Sequence, residues 1–145
     1  MLIILEGLDK CGKTTFAQKF AGCAEIKHSD KNDDATAVLL AAAKKDKTGK
    51  LVILDRSFFS EMCYGPVYRG EMRMTPAKLM QISKALKQIQ YCILYFSRPA
   101  GEHIEYDTND EFEKDAEKLA LVEKRYKEYI ARYKNRFNIY EIQYK

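Results

Sequence analysis

The sequence predicts one α/β domain, residues 1–145, in which helices cover both faces of a five-stranded parallel sheet. Three observations support this fold class. Short apolar runs without polar alternation recur along the chain, as in parallel strands that are buried on both faces. Amphipathic helical patterns separate them, and such alternation is typical of three-layer α/β folds with right-handed crossovers. The length of 145 residues suits a single core.

Five segments are strand candidates. The strongest are residues 2–5, 51–54 and 91–96, and two weaker ones surround Ile26 and Ile139. Ligands of such sheets bind beyond the carboxyl ends of the strands, so the segments that follow the strong strands should meet at one edge. These segments are residues 7–15, 55–60 and 97–103.

Apolar residues at helical spacing predict helices over residues 35–43, 76–89 and 110–133. Thr75 followed by Pro76 is a suitable N-cap and first-turn pair for the second of these. A further helix should begin near Lys13. The longest helix has one stripe that should pack as core and edge, formed by Phe112, Ala116, Leu119, Tyr126, Ile130 and Tyr133.

Composition argues against several classes of protein. The chain starts without the basic region and cleavage site of a signal peptide, and no stretch approaches the ~20 apolar residues of a membrane span. The four cysteines are widely spaced, which favours a reduced, cytoplasmic protein. His28 and His103 fit no metal pattern and are taken as surface residues. The net charge of +4 is compatible with phosphorylated ligands and is weak support for nucleic-acid binding.

Residues 7–15, GLDKCGKTT, match the phosphate-loop pattern G-x-x-x-x-G-K-[ST]. A strand is predicted before this segment and a helix after it, which is the context that the pattern requires. Loop N–H groups should bind phosphate oxygens of ATP, Lys13 the β- and γ-phosphates, and the Thr14 hydroxyl Mg²⁺. The predicted ATP-binding set is Gly7, Asp9, Lys10, Cys11, Gly12, Lys13, Thr14 and Thr15.

A second group of candidate site residues follows the strand at residues 51–54. Asp55 is a candidate Mg²⁺ ligand and Arg56 a candidate phosphate ligand. Phe58 and Phe59 come next: either one of them faces a base or both are core. The predicted catalytic set is Lys10, Lys13, Asp55 and Arg56.

With both segments considered, the chain resembles the thymidylate kinase and deoxynucleoside kinase group of P-loop kinases. Residues 6–9 (EGLD) and 12–15 (GKTT) are similar to the thymidylate kinase phosphate loop. Residues 55–70 are similar to the family's D-R-Y…S…Y…R-G acceptor segment, although Ser57 makes this D-R-S, as in deoxynucleoside kinases. The resemblance implies ATP, Mg²⁺ and an acceptor-binding set of Asp9, Arg56, Phe58, Phe59, Tyr64 and Arg69.

Lys10 is the second lysine of the phosphate loop. Many monophosphate kinases carry lid arginines before the last long helix, but after Arg98 residues 99–115 contain seven acids and one lysine. Some thymidylate kinases instead have a basic residue directly after the loop aspartate, and Lys10 occupies that position. We predict that Lys10 supplies the catalytic charge that the lid lacks; the alternative is a solvated loop lysine.

The leading functional interpretation is ATP-dependent phosphorylation of a deoxynucleoside monophosphate, thymidylate-like or a modified pyrimidine. Alternatives are a deoxynucleoside, a hydroxyl of DNA (a 5′ end or a hydroxymethylated base), or a regulator that binds ATP without transferring phosphate. Short connections suggest a reduced, viral form of the fold that acts in a host cytoplasm. Family members often dimerise, which leaves a homodimer open, and no membrane partner is expected.

Overall fold

The computed structural model describes residues 1–8, 11–30, 32–98 and 116–143. These residues form a five-stranded parallel sheet flanked by helices. The strands are β1 (Leu2–Gly7), β2 (Ala24–His28), β3 (Leu51–Asp55), β4 (Tyr91–Ser97) and β5 (Ile139–Gln143). They lie across the sheet in the order β2-β3-β1-β4-β5. The helices are α1 (Lys13–Gln18), α2 (Ala35–Lys45), α3 (Phe58–Tyr64), α4 (Pro76–Leu86) and α5 (Ala116–Tyr133), with a 3₁₀ turn at Asp46–Thr48 and a π-helical turn at Gly65–Arg69.

The strength of each strand pattern follows the position of that strand in the sheet. β1 is central and buried at all six positions, and its neighbours β3 and β4 are the other two uninterrupted apolar runs. β2 and β5 lie at the edges and contain no fully buried position. An edge strand is covered less completely, so it tolerates polar residues and gives a weaker signal. The five predicted strands and the α/β fold class are confirmed.

The helix starts agree with their capping residues. The Asp34 carboxylate accepts hydrogen bonds from the first-turn N–H groups of α2 at 3.0 and 3.2 Å, and Thr75 caps α4 through the N–H of Lys78 at 3.2 Å. α4 ends at Leu86, three residues before the predicted end. α5 is described from Ala116, so its predicted start at residue 110 lies outside the described residues, as does Phe112.

Candidate active site

The phosphate loop connects the central strand β1 to α1. Gly7 has a φ of +129°, and a Cβ at this position would lie 2.4 Å from the carbonyl oxygen of Phe96. Gly12 has a φ of +93° and precedes the first residue of α1. Both conformations are rare for residues with side chains, which explains the glycines of the pattern. The strand predicted before the loop and the helix predicted after it are therefore present.

Lys13 begins α1 and is 4% exposed. Its ammonium group donates hydrogen bonds to the carbonyl oxygens of Gly7 at 2.7 Å and of Leu8 at 2.6 Å. The cation is thus held against the exit of β1, at the base of the loop. Thr14 and Thr15 are exposed in the first turn of α1, whereas the Cys11 side chain is buried in the core.

Three predicted residues lie outside the described part of the chain. Asp9 and Lys10 belong to the phosphate loop, and His103 follows β4. Their proposed roles stay predictions. Arg98, at the start of the acidic segment, lies at the end of β4 and forms an ion pair with Glu123 of α5.

Glu6 is the last acidic residue before the loop and is fully buried. Its Oε1 accepts the backbone N–H of Ser57 at 2.9 Å, while Oε2 accepts the hydroxyls of Ser60 at 2.5 Å and Tyr126 at 3.2 Å. Burial raises the pKa of the carboxyl above its ordinary value of 4.5, and the hydrogen bonds from Ser60 and Ser57 oppose that shift. The carboxylate therefore joins β1, the start of α3 and α5.

Arg56 connects β3 to α3 and is adjacent to the end of β1. Its backbone N–H donates to the carbonyl oxygen of Leu5 at 2.8 Å. Its φ of +75° lies in the left-handed region, which a residue with a side chain occupies only when its surroundings enforce it. The guanidinium lies 4.7 Å from the ring centroid of Tyr64. The backbone turn and the aromatic ring together fix the direction of the arginine.

Asp55 is the last residue of β3, which pairs with β1, the strand that leads into the phosphate loop. Its Oδ2 accepts a hydrogen bond from Nδ1–H of His28 at 2.8 Å. Its Oδ1 is buried, and no described residue hydrogen-bonds to it. A half-satisfied buried carboxylate is suited to binding a water or a metal-bound water. His28, expected to be a plain surface residue, is exposed but contacts this site carboxylate.

A cavity of about 450 Å³ lies beyond the carboxyl ends of β2 and β3. Three residues of the predicted acceptor set line it, namely Arg56, Tyr64 and Arg69. The sequence did not indicate Tyr68, which stacks on Tyr64 with centroids 5.8 Å apart, or Glu61, which pairs with Arg69. Other lining residues that the patterns missed are Ser57, Arg73, Asp30 and Asp33.

Ser57 adds a further polar group to this cavity. The residue is 5% exposed, and its hydroxyl is buried without a hydrogen-bond partner among the described residues. Its N–H, in contrast, is held by Glu6. The hydroxyl is therefore available to a ligand or to water.

Phe58 and Phe59 require a correction. Both are fully buried, and neither lines the cavity. Their rings pack 4.6 Å apart and contact Phe137, at 5.2 and 6.0 Å between centroids. These aromatic side chains hold α3 against the residues that follow α5. Neither presents a face to a base, so the core interpretation is the one that the structure supports.

Two features are absent from the part of the chain that the structure describes. No helix is long and apolar enough to cross a bilayer. Within the same described ranges, no group of three or more histidines, cysteines or acids is arranged to hold a metal ion.

No protein-family model matches the sequence, and no curated protein matches it significantly. Solved structures match it in fold. The chain is similar to the YorR protein of Bacillus subtilis in complex with phosphorylated GDP, with a TM-score of 0.71 and 19% identity over 99% of this chain and 85% of that chain. It is also similar to deoxyadenosine kinase from M. mycoides with bound dCTP, with a TM-score of 0.55 and 14% identity over 99% and 90% of the two chains.

Thymidylate kinase from Ehrlichia chaffeensis gives a TM-score of 0.51 and 14% identity, over 99% of this chain and 90% of that chain. Each of these three likenesses spans nearly the whole chain at low sequence identity, so what they show is a common architecture. The chain therefore has an α/β fold that it shares with these solved structures, among them deoxyadenosine kinase and thymidylate kinase.

Proposed function

We propose that this chain transfers the γ-phosphoryl group of ATP to a deoxynucleoside monophosphate, with a thymidylate-like or modified pyrimidine as the expected base. The observation that carries the proposal is the link between the phosphate loop and the cavity. Arg56 N–H bonds to Leu5, and Ser57 N–H bonds to Glu6. The cavity wall is thus fixed to the strand that leads into the loop, as phosphoryl transfer between two bound ligands requires.

The phosphate loop supplies the donor half of the reaction. When ATP binds, phosphate oxygens take over contacts that the Lys13 ammonium makes with carbonyl oxygens. Thr14 and Asp55 are suited to hold Mg²⁺ or its waters, because one carries an exposed hydroxyl in the first turn of α1 and the other a buried carboxylate oxygen with no described partner. The metal ion neutralises charge on the phosphates when it is bound.

The cavity supplies the acceptor half. Its volume falls within the ~300–1,000 Å³ of small-molecule sites. The Arg56 backbone bonds to β1, the strand that leads into the phosphate loop, and its guanidinium is suited to bind the acceptor phosphate. The Tyr64–Tyr68 pair provides an aromatic wall for the sugar or base. An ATP-binding regulator needs no such second site.

Asp9 and Lys10 complete the proposal at the loop itself. By resemblance, Asp9 binds a hydroxyl of the acceptor deoxyribose. Lys10 supplies positive charge to the transferring phosphoryl group in place of a basic lid. Lys10→Ala should then lower kcat by more than tenfold, since removing a transition-state contact typically costs ~2.7–4 kcal/mol. A loss well under tenfold would leave Lys10 as a loop lysine.

A free deoxynucleoside is the second candidate acceptor, and one observation favours it. Glu61 pairs with Arg69 inside the cavity, which reduces the positive charge that a phosphate group would meet. Ser57 also favours a deoxynucleoside acceptor, because it gives this segment the D-R-S form of deoxynucleoside kinases. The two acceptors differ by a dianionic phosphate, so Arg56 should matter more for one than for the other.

The test is a panel assay with labelled ATP against deoxynucleosides, deoxynucleoside monophosphates and oligonucleotides. We expect product with a monophosphate, and we expect Arg56→Gln to raise KM for that acceptor by at least tenfold. Lys84→Gln, an exposed lysine in the last turn of α4, removes the same charge and should have no effect. Product only with nucleosides would favour the second candidate, and no product with any acceptor would favour the regulator.

A further inference from the structure

The positive charge of the chain is concentrated in one stretch. Residues 124–136 contain six of the 25 lysines and arginines and one of the 21 acids, so the remainder of the chain is slightly acidic. This stretch forms the second half of α5 and the turn that follows it. Such local concentration is the electrostatic pattern of a polyanion-binding surface.

The basic side chains lie on the outside of the helix. Val122 and Tyr126 are fully buried against the rest of the domain. Lys124, Lys127, Arg132, Lys134 and Arg136 are all exposed. Lys127 faces Glu123 at 3.6 Å, an exposed contact of little energetic weight. These five basic side chains are therefore exposed to solvent and are not buried in the core.

Arginines and tyrosines on this surface are stacked. The rings of Tyr129 and Tyr133 lie 6.3 Å apart at an angle of 17°. Arg132 lies over Tyr129 at 5.4 Å, and Arg136 lies over Tyr133 at 6.0 Å. When one face of a guanidinium stacks on a ring, its N–H groups and its opposite face stay accessible to a ligand. Proteins bind single-stranded nucleic acids through positive charges that contact the phosphates and through aromatic rings and arginines on which the bases stack.

The stacked surface continues toward the cavity. The Lys118 ammonium lies 5.4 Å from the ring of Tyr68, a cavity residue. Lys118, Arg125 and Arg132 are seven residues apart, which places them on one side of α5 over about 21 Å. Arg125 is anchored, since its guanidinium donates to the Met62 carbonyl oxygen. The charges therefore form a track and not a single cluster.

We propose that this surface binds single-stranded nucleic acid. It is named the α5 basic face and consists of Lys118, Arg125, Tyr129, Arg132, Tyr133, Lys134 and Arg136. The proposal goes beyond the kinase reaction, because the surface would bind an oligonucleotide whichever acceptor occupies the cavity. An anionic membrane would match the charge as well, but it would make no use of stacked arginines and tyrosines.

The test measures fluorescence anisotropy of a labelled 12-nucleotide single-stranded DNA with the full chain, between 50 and 200 mM salt. We expect binding that weakens steeply with salt, by about 0.7 in log K per log salt for each phosphate neutralised. The triple variant Arg132→Gln, Lys134→Gln, Arg136→Gln should lose at least tenfold in affinity at 50 mM salt. Its salt slope should fall by about 2.

The matched control is Lys44→Gln, Lys84→Gln, Lys87→Gln, which removes the same charge from exposed positions in or beside α2 and α4. It should change affinity less than twofold. Urea unfolding of both triple variants tests whether they are folded. If the Arg132, Lys134, Arg136 triple variant is destabilised, the single variant Lys134→Gln, in the turn after α5, should still weaken binding twofold or more.

The proposal would be overturned if both triple variants lost the same affinity for the oligonucleotide, or if the unaltered chain did not bind it. It would also be overturned if the unaltered chain bound phosphatidylserine vesicles and not the oligonucleotide. Transfer to nucleoside and monophosphate acceptors is measured separately in the panel assay. A failure of oligonucleotide binding is therefore distinguishable from a failure of the proposed kinase activity.

Discussion

Replacing Tyr126 by phenylalanine removes one buried hydroxyl and leaves the ring in place. That hydroxyl donates to Glu6 Oε2 at 3.2 Å and lies 2.6 Å from the Ser60 Oγ. The residue is fully buried, so water cannot replace the lost contacts. The ring keeps its packing on Tyr95, at 5.7 Å between centroids. The substitution therefore isolates the hydrogen bonds.

The expected cost follows from these contacts. A buried hydrogen-bonding group that is left without its partner costs about 1–3 kcal/mol. Because the two contacts share one hydroxyl, we expect Tyr126→Phe to lower the free energy of unfolding by about 2–3 kcal/mol. For a domain of this size that corresponds to a decrease in Tm of about 5–10 °C.

Urea unfolding followed by circular dichroism at pH 7.5 measures this loss. Tyr129→Phe is the matched control. Its hydroxyl accepts a hydrogen bond from Arg125 at 3.1 Å but is only half-buried, so water can replace that contact and the loss should stay below about 1 kcal/mol. A double-mutant cycle with Glu6→Gln should give a coupling above about 1 kcal/mol. A loss under about 0.5 kcal/mol, or one equal to that of the control, would refute the claim that Glu6 holds α5 to the site.

Three further predictions concern the same region. Burial raises the pKa of Glu6, so its contribution to stability is complete at pH values below 4.5 and is lost as pH rises through the folded-state pKa. The free energy of unfolding, taken from urea curves between pH 4 and 8, should therefore fall relative to that of Glu6→Gln by up to about 1.4 kcal/mol per pH unit inside that window, and parallel pH profiles would contradict this. Gly7→Ala should destabilise by at least about 2 kcal/mol in thermal unfolding, because its Cβ would meet a β4 carbonyl oxygen at 2.4 Å, whereas Gly22→Ala has open space and should be near neutral. Glu61→Gln should lower KM for a monophosphate acceptor by about threefold or more without changing KM for ATP, since it releases Arg69 from its ion pair; a higher acceptor KM in steady-state assays would count against the assigned site.

Prediction from the sequence worked best where one local pattern carried the information. The three uninterrupted apolar runs became the central strands, because burial on both faces excludes polar residues from them. The Thr75–Pro76 pair started α4 as expected. Gly12 and Lys13 lie where the phosphate-loop pattern places them, since backbone conformation and spacing there are local properties.

The candidate site was predictable only in part. Arg56, Tyr64 and Arg69 share one cavity, as the acceptor segment indicates. Phe58 and Phe59 do not join them, because the packing of α5 and the following turn determines which side of α3 is core. Periodicity cannot identify the buried side of a helix as short as α3, where nearly every position contacts a neighbouring element.

The sequence by itself determined the order of the five strands and of helices α1, α2, α4 and α5, the phosphate-loop pattern and the charge of the second half of α5, whereas α3 was not predicted. Only the tertiary structure decided that Glu6 meets Tyr126, 120 residues away, and that His28 meets Asp55. The physical reason is that backbone conformation and burial leave a local signature in composition and spacing. A contact between distant side chains depends on how whole elements pack, and for these pairs no local pattern in the sequence encodes it.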